Sequence, residues 1–139
     1  ATTNVDVVGA SVVGVEHVTV AATTGTNTTG DSAFGFLANK ADSVKTLDFT
    51  GTADTTLNLV ANTLDVVAVA IDASGITGTG DFTIATNNNV LVTGSSVKAT
   101  ANADTIAISN TNGVTYDGGA GNDNIVGGTD AETISGGAG

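Results

Sequence analysis

The residues best suited to chemistry lie near the C-terminal end. There Gly118-Gly119-Ala120-Gly121-Asn122-Asp123-Asn124-Ile125-Val126 follows the spacing G-G-x-G-x-D-x-U-x, with U a large aliphatic. Gly127-Gly128-Thr129-Asp130-Ala131-Glu132-Thr133-Ile134-Ser135 keeps the same phase, with Asp130 in the place of the third glycine and Glu132 in that of the aspartate. A third copy opens as Gly136-Gly137-Ala138-Gly139. These residue types suit a hard divalent cation. Ca2+ takes about six to eight oxygens at ~2.3–2.6 Å. Glycines reach positive φ and can turn backbone carbonyls toward one point. Asp123 adds a carboxylate, and Ile125 returns the chain to a core as a short strand. One turn fills only part of such a shell, so an ion must sit between turns of successive coils. With two nonapeptides to a coil, the turn at 118–123 is expected to stack on the one that begins at Gly136. The candidate ligand positions are Gly118, Gly119, Gly121 and Asp123. Gly127, Gly128, Asp130 and Glu132 form a degenerate and weaker site, and Gly136, Gly137 and Gly139 supply the next layer. The third copy breaks off at Gly139, and the chain has neither an initiating methionine nor a signal peptide. It is expected to be a piece of a longer protein.

Other candidates point to structure and not to catalysis. Ala99-Thr100-Ala101-Asn102-Ala103-Asp104-Thr105-Ile106-Ala107 echoes the repeat without its glycines, and Asp104 is expected to serve a structural turn. His17 is the only histidine and sits among alternating residues, which places it on the solvent side of a strand. No serine stands in G-x-S-x-G. Asp48, Asp54, Asp65 or Asp72 could in principle supply paired carboxylates for glycoside chemistry. Nothing selects a pair among them, and they are expected to solvate turns or to add calcium ligands. No enzymatic role is expected.

The elements that must position the turns are short strands. No i, i+3, i+4 pattern persists for a dozen residues, whereas short alternating groups recur between turn residues. They are Val15–Val20, Val44–Phe49, Thr56–Val60, Val67–Ile71, Phe82–Ile84, Val90–Val92, Thr105–Ile108, Val114–Tyr116, Ile125–Val126 and Thr133–Ile134. Their intervals of about eight to fourteen residues fit either an antiparallel sandwich or a parallel solenoid. Asn112-Gly113 and Asp117-Gly118 are hairpin signals and keep the sandwich open. The shortness of the strands, the scarcity of aromatic residues and the abundance of Asn and Thr at turns favour an all-β parallel β-helix or β-roll, whose coils bury their apolar faces against one another. Residues 1–30 would form the first coils and 44–116 the main solenoid, with 117–139 as calcium-turn repeats. Residues 31–43, around Ala33-Phe34-Gly35-Phe36-Leu37-Ala38, read as a loop or short helical excursion.

Charge narrows the partners. Lys40, Lys45 and Lys98 face 14 acidic residues, for a formal charge of −11. So few cationic side chains cannot displace counterions from phosphates, which excludes nucleic acid, and an anionic membrane surface would repel the chain. The fitting charged partner is a cation. Charged residues make up only 12% and hydrophobic ones 40%, with a positive mean hydropathy of +0.25, which weighs against a disordered chain. Cysteine is absent, so disulfides and thiolate metal sites are excluded. No run approaches the roughly 18 apolar residues that span a bilayer.

The in-phase nonapeptides resemble those of the RTX class of secreted proteins. The Thr/Ala/Gly/Asn-rich text, with Gly14–Val20 and Ile71–Gly80, is most similar to RTX-type surface-layer (S-layer) proteins of Gram-negative bacteria. The close match covers only 118–139, and long perfect tandem repeats, usual in RTX toxins and proteases, are missing. The resemblance implies secretion by a type I system, calcium-triggered folding outside the cell, and self-assembly into a lattice held by Ca2+ on the cell surface, with lipopolysaccharide as the usual anchor through other regions. The family's ligand places fall on Gly118, Gly119, Gly121 and Asp123, and partly on Gly127, Gly128 and Glu132. The alternative is the RTX folding and secretion module of an adhesin, toxin or protease. A third reading is a polysaccharide-active β-helix.

Overall fold

Short runs that alternate aliphatic and polar residues can bury one side only by pairing edge to edge, and they do so in parallel. In the computed structural model, the described residues are 7–10, 14–22, 32–36, 43–59, 67–86, 91–107, 113–128 and 131–139. For 7–10, 22, 32–36, 58, 59, 85 and 86 the description is of backbone alone. Among these residues there are twelve strands and no helix. The first six are β1 (Val7–Ala10), β2 (His17–Ala22), β3 (Ser32–Phe36), β4 (Thr46–Gly51), β5 (Thr55–Leu59) and β6 (Ala70–Ile76). The rest are β7 (Phe82–Thr86), β8 (Ser96–Lys98), β9 (Thr105–Ala107), β10 (Thr115–Asp117), β11 (Asn124–Val126) and β12 (Thr133–Ser135).

Odd-numbered strands form one six-stranded sheet and even-numbered strands the other, each in chain order. Every described pair is parallel, which sets aside the antiparallel sandwich. The reason lies in where the chain goes after each strand. Asp117-Gly118, a hairpin signal by composition, leads from β10 to β11, which belong to different sheets. Parallel neighbours require such a crossover. The spacing between rungs contracts along the chain: 29 residues separate Val18 from its partner Leu47, and 18 separate Tyr116 from Ile134.

Both sheets contribute to one core. Register stacks Val18, Leu47, Ile71, Val97, Tyr116 and Ile134 on the even-strand sheet. It stacks Leu57, Ile84, Ile106 and Ile125 on the odd-strand sheet. Phe49 of β4 meets Phe82 of β7 with ring centroids 5.1 Å apart, joining the two sheets through an aromatic contact. Burying each such side chain contributes about 1.5–3 kcal/mol. The ladder ends in the open: Ile134, in the last rung, is 51% exposed, whereas Tyr116 one rung below is fully buried.

Several expectations change. Residues Ser32–Phe36 of the supposed excursion at 31–43 are β3, paired to β1 and β5. The Phe-Gly-Phe text suggested a loop because its neighbours carry no alternating polar residues, but backbone pairing on both sides overrides that signal. Residues 37–42 lie outside the described residues. The group at 67–71 becomes a strand only from Ala70, and it runs on to Ile76 through a register shift opposite Asp48 and Thr50. Leu91 is buried without belonging to a strand. Ser96–Lys98 was missed because Val97 is its single apolar residue, yet Val97 is fully inside the even ladder.

Phe82→Ala is expected to cost about 3–5 kcal/mol through the cavity left beside Phe49. Val126→Ala, at a position 52% exposed, should stay within ~0.5 kcal/mol. Urea denaturation of the two variants checks the contrast.

Candidate metal centre

The turns that precede the odd-numbered strands hold the candidate ligands. Three of them stack. Ala99 N–H donates to the Asp117 carbonyl at 2.9 Å and Ala120 N–H to that of Thr100 at 3.4 Å. From the other side, Gly118 N–H donates to Ser135 O at 2.8 Å and Gly121 N–H to Ala138 O at 2.9 Å. Ala138 N–H donates to Gly119 O at 3.0 Å. Ala120 and Ala138 form a parallel bridge. The turn at 118–121 therefore lies between the glycine-free echo at 99–102 and the third copy at 136–139, as the coil of two nonapeptides requires. Glycine is needed at this closeness. Gly119 has φ +90°, and a Cβ there would collide with the Thr100 carbonyl oxygen.

Three turn carboxylates divide into two kinds. Asp104 is 1% exposed. It accepts Phe82 N–H at 2.6 Å, Thr100 N–H at 2.8 Å and the Thr100 hydroxyl at 2.9 Å. It is a structural residue of its turn. Burial pushes its pKa above the ordinary carboxylate value and the nearby Asp123 carboxylate adds to the rise, while the hydrogen bonds from Phe82 and Thr100 act against it. Glu132 turns back in the same way, accepting Gly128 N–H at 2.9 Å. Asp123 differs. Its Oδ1 accepts Asp104 N–H at 3.0 Å, but Gly119 N–H, four residues before it, donates to Asp117 Oδ1 at 3.2 Å instead. Asp123 Oδ2 is left buried with no hydrogen-bond partner. A Cβ on Gly118 would run into that oxygen and come within 3.0 Å of the Gly136 carbonyl oxygen. An unpaired buried carboxylate oxygen costs free energy that a bound cation would recover. A space that a Cβ would fill, bordered by a carboxylate and a carbonyl from the next layer, is the donor set that calcium favours.

The structure thus brings together Gly118, Gly119, Gly121 and Asp123 with Gly136, Gly137 and Gly139. An open concavity of about 450 Å3 is lined by Gly121, Asn122, Asp123, Gly136 and Gly137, with Ile125 and Ile134 beside them. Gly127, Gly128 and Glu132 belong to the other edge, ahead of β12. Asp130 lies outside the described residues. No group of three or more His, Cys, Asp or Glu side chains able to hold a metal occurs among the described residues. An ion here would rely on one carboxylate and backbone carbonyls. His17 is exposed, as expected. It bonds to the Thr46 hydroxyl and, at 3.1 Å, to that of Thr19, and its Nε2 lies 3.5 Å from Asp48 Oδ2.

One set of residues escaped the sequence reading. An aspartate stands immediately before every strand of the odd sheet, at positions 6, 31, 54, 81, 104 and 123. Asp6 and Asp31 lie outside the described residues. Of the rest, Asp54 Oδ1 accepts Asp81 N–H of the next rung at 3.1 Å, while Asp104 and Asp123 accept N–H groups of the rung before. The signal was present, but rungs of unequal length hide it from any fixed period.

Gly119→Ala should strain the turn by about 1–3 kcal/mol beyond the collision. Hydrogen exchange should show lost protection at Gly121 and Ala138 while the β4–β7 amides stay protected. A carboxyl whose pKa is raised by folding binds its proton more tightly in the folded chain. Its stabilising contribution is fully present below the unfolded value and is lost as pH rises through the folded one. Asp104→Asn is therefore expected to flatten the decline in stability that sets in as pH rises above about 4, measured by urea denaturation in metal-free buffer. Compared with protein-family models, with curated proteins and with solved structures, the chain has no match in any of the three.

Proposed function

We propose that this chain is a calcium-binding parallel β-solenoid of the RTX kind, part of an extracellular structural protein that self-assembles as a surface layer, and that it performs no catalysis. The observation that carries the calcium reading is the buried, unpartnered Oδ2 of Asp123 beside the Gly136 carbonyl. Asp123, Gly118, Gly119 and Gly121 would hold the ion from one coil, and Gly136, Gly137 and Gly139 from the next. When bound, Ca2+ neutralises the carboxylate and ties the two layers together. The chain's own residues contribute the rest. Glycine turns without side chains let carbonyls of neighbouring coils approach, and the Asp104 amide fixes the Asp123 carboxylate through Oδ1. Gly127, Gly128 and Glu132 would make a weaker second site, since Glu132 is already held by Gly128 N–H, and Asp130 is assigned to it by its place in the repeat alone.

A formal charge of −11 favours the same reading. Carboxylates stacked along one edge repel one another, and a divalent cation removes that cost only in the folded state, so folding and binding are linked. Self-assembly and the bacterial cell surface rest on the resemblance to RTX-type surface-layer proteins, with lipopolysaccharide as the anchor through regions outside this chain.

At a calcium concentration about 100-fold above Kd, linkage should add ~2.7 kcal/mol of stability. Circular dichroism melts with calcium and with EGTA should show this gain, and Asp123→Ala should lose most of it. Identical melts in the two buffers would defeat the calcium assignment. Electron microscopy of the assembled protein, with and without chelator, separates calcium-dependent sheets from a monomeric folding and secretion module. Release of reducing ends from glycans would instead establish the polysaccharide-active reading.

A further inference from the structure

Asp117-Gly118 is the only Asp-Gly step in the chain. Such a step can close on itself, because glycine has no side chain to shield its amide nitrogen. That nitrogen attacks the Cγ of the preceding aspartic acid and the N–Cγ bond forms. A carboxyl oxygen leaves as water, taking the acid proton and the amide proton, and a succinimide ring results. Water then adds to the α-carbonyl carbon and breaks its bond to nitrogen. The main chain now runs through Cβ and Cγ, the former α-carbonyl is a free carboxyl group, and the residue is isoaspartate. One water is lost and one gained, so the composition is unchanged.

In the fold this peptide group is clamped from both sides. Its carbonyl, that of Asp117, accepts Ala99 N–H at 2.9 Å from the layer before, and its N–H, that of Gly118, donates to Ser135 O at 2.8 Å in the layer after. Asp117 ends β10, which is paired to both β8 and β12, and its Oδ1 accepts Gly119 N–H at 3.2 Å. A parallel strand has ψ of about +115°, which turns the following nitrogen away from the side chain, whereas ring closure needs ψ of the opposite sign. The outer clamp is the weaker one. β12 is the edge strand of its sheet and Ile134 is 51% exposed, so local opening releases the Ser135 contact first.

We propose that Asp117-Gly118 is a covalent modification site, closed while the layer at 133–139 is stacked on it and converted to isoaspartate once that layer opens. The product cannot restack. The turns have no room for a Cβ at Gly119, against Thr100 O, or at Gly137, against Gly119 O. An additional main-chain carbon at 117 shifts every donor and acceptor that follows it in the same tight stack. The carbonyl that Ala99 N–H uses also leaves the main chain as part of a free carboxylate. Modification is thus a one-way record of coil opening, and it stands on the backbone stack and not on the calcium reading.

Site-resolved mass spectrometry of chromatographically separated peptides reads isoaspartate at position 117. Every arm contains calcium, so the outcome does not depend on whether an ion binds. The urea-unfolded chain should form isoaspartate there at least about a hundred-fold faster than the folded chain, because reaction follows the population of the open turn. Gly137→Ala sets a Cβ against Gly119 O, disturbs the outer layer, and should raise the folded rate about ten-fold. Gly78→Ala, at φ +75° with nothing within 4 Å of its Cβ, strains a remote turn and should leave the rate at the wild-type value. Thermal melts establish that each variant folds. Should Gly137→Ala fail to fold, the wild type decides alone: in sub-denaturing urea, isomerisation at Asp117 and hydrogen exchange of the Gly118 amide should rise in parallel. Purified isoaspartate chain, returned to folding buffer, should lack exchange protection at Gly121 and Ala138. The proposal is overturned by an unfolded chain that forms no isoaspartate at 117, or by equal folded and unfolded rates. A Gly137→Ala rate no higher than that of Gly78→Ala overturns it too. So does isomerisation that stays level while exchange rises, or a modified chain that regains protection.

Discussion

Parallel backbone pairing between successive rungs is the constraint from which the rest follows. Each strand must find its N–H and C=O partners one rung above and one below, and unpaired buried backbone groups are too costly to tolerate. The chain therefore crosses to the opposite sheet after every strand, and each rung repeats the inward position of the last. Aliphatic ladders such as Leu57–Ile84–Ile106–Ile125 are the direct result. Turns stack as closely as strands do, which is why the tightest of them, where Gly119 and Gly137 have positive φ, have no room for a side chain.

Within that frame the turn carboxylates perform two kinds of work. Asp54 and Asp104 take backbone N–H groups from neighbouring rungs, closing donors at a sheet edge that regular pairing leaves open. Glu132 takes one within its own turn. Asp123 holds one neighbour with Oδ1 and leaves Oδ2 buried without a donor. The difference from Asp104 is small in sequence but large in electrostatics. Thr100 satisfies Asp104 with both its amide and its hydroxyl, whereas Gly119 at the matching place has no hydroxyl and directs its amide to Asp117. Glycine in the repeat thus removes a donor from the carboxylate as well as a Cβ from the turn.

The same stacking sorts charge onto faces. Outward positions recur at fixed levels, so a residue type repeated from rung to rung becomes a stripe along the sheet. Lys98 stands between Asp72 and Asp117 and relieves like-charge repulsion there, and Lys45 pairs with Glu16 at 2.7 Å. On the opposite sheet Asp54 and Asp81 alternate onto the same side as Thr56 and Thr83, and the level continues without charge through Thr105 and Asn124.

Local chemistry alone determined much of this. Alternation placed most strands to within a few residues, the spacing of Gly and Asp around 118–123 located the turn, and the period of two nonapeptides predicted its stacking on Gly136. These are short-range properties, legible because they repeat at a fixed interval. Tertiary structure decided what depends on pairing between distant rungs. Asp117-Gly118 is compatible with a hairpin until β10 and β11 are found in different sheets. Ser32–Phe36 has no strand-like alternation and is a strand because β1 and β5 flank it. The aspartates ahead of the odd strands come into line between residues about 20 or more positions apart, aligned by rungs of unequal length. No fixed period in the chain can display them, because backbone hydrogen bonding between rungs sets the register.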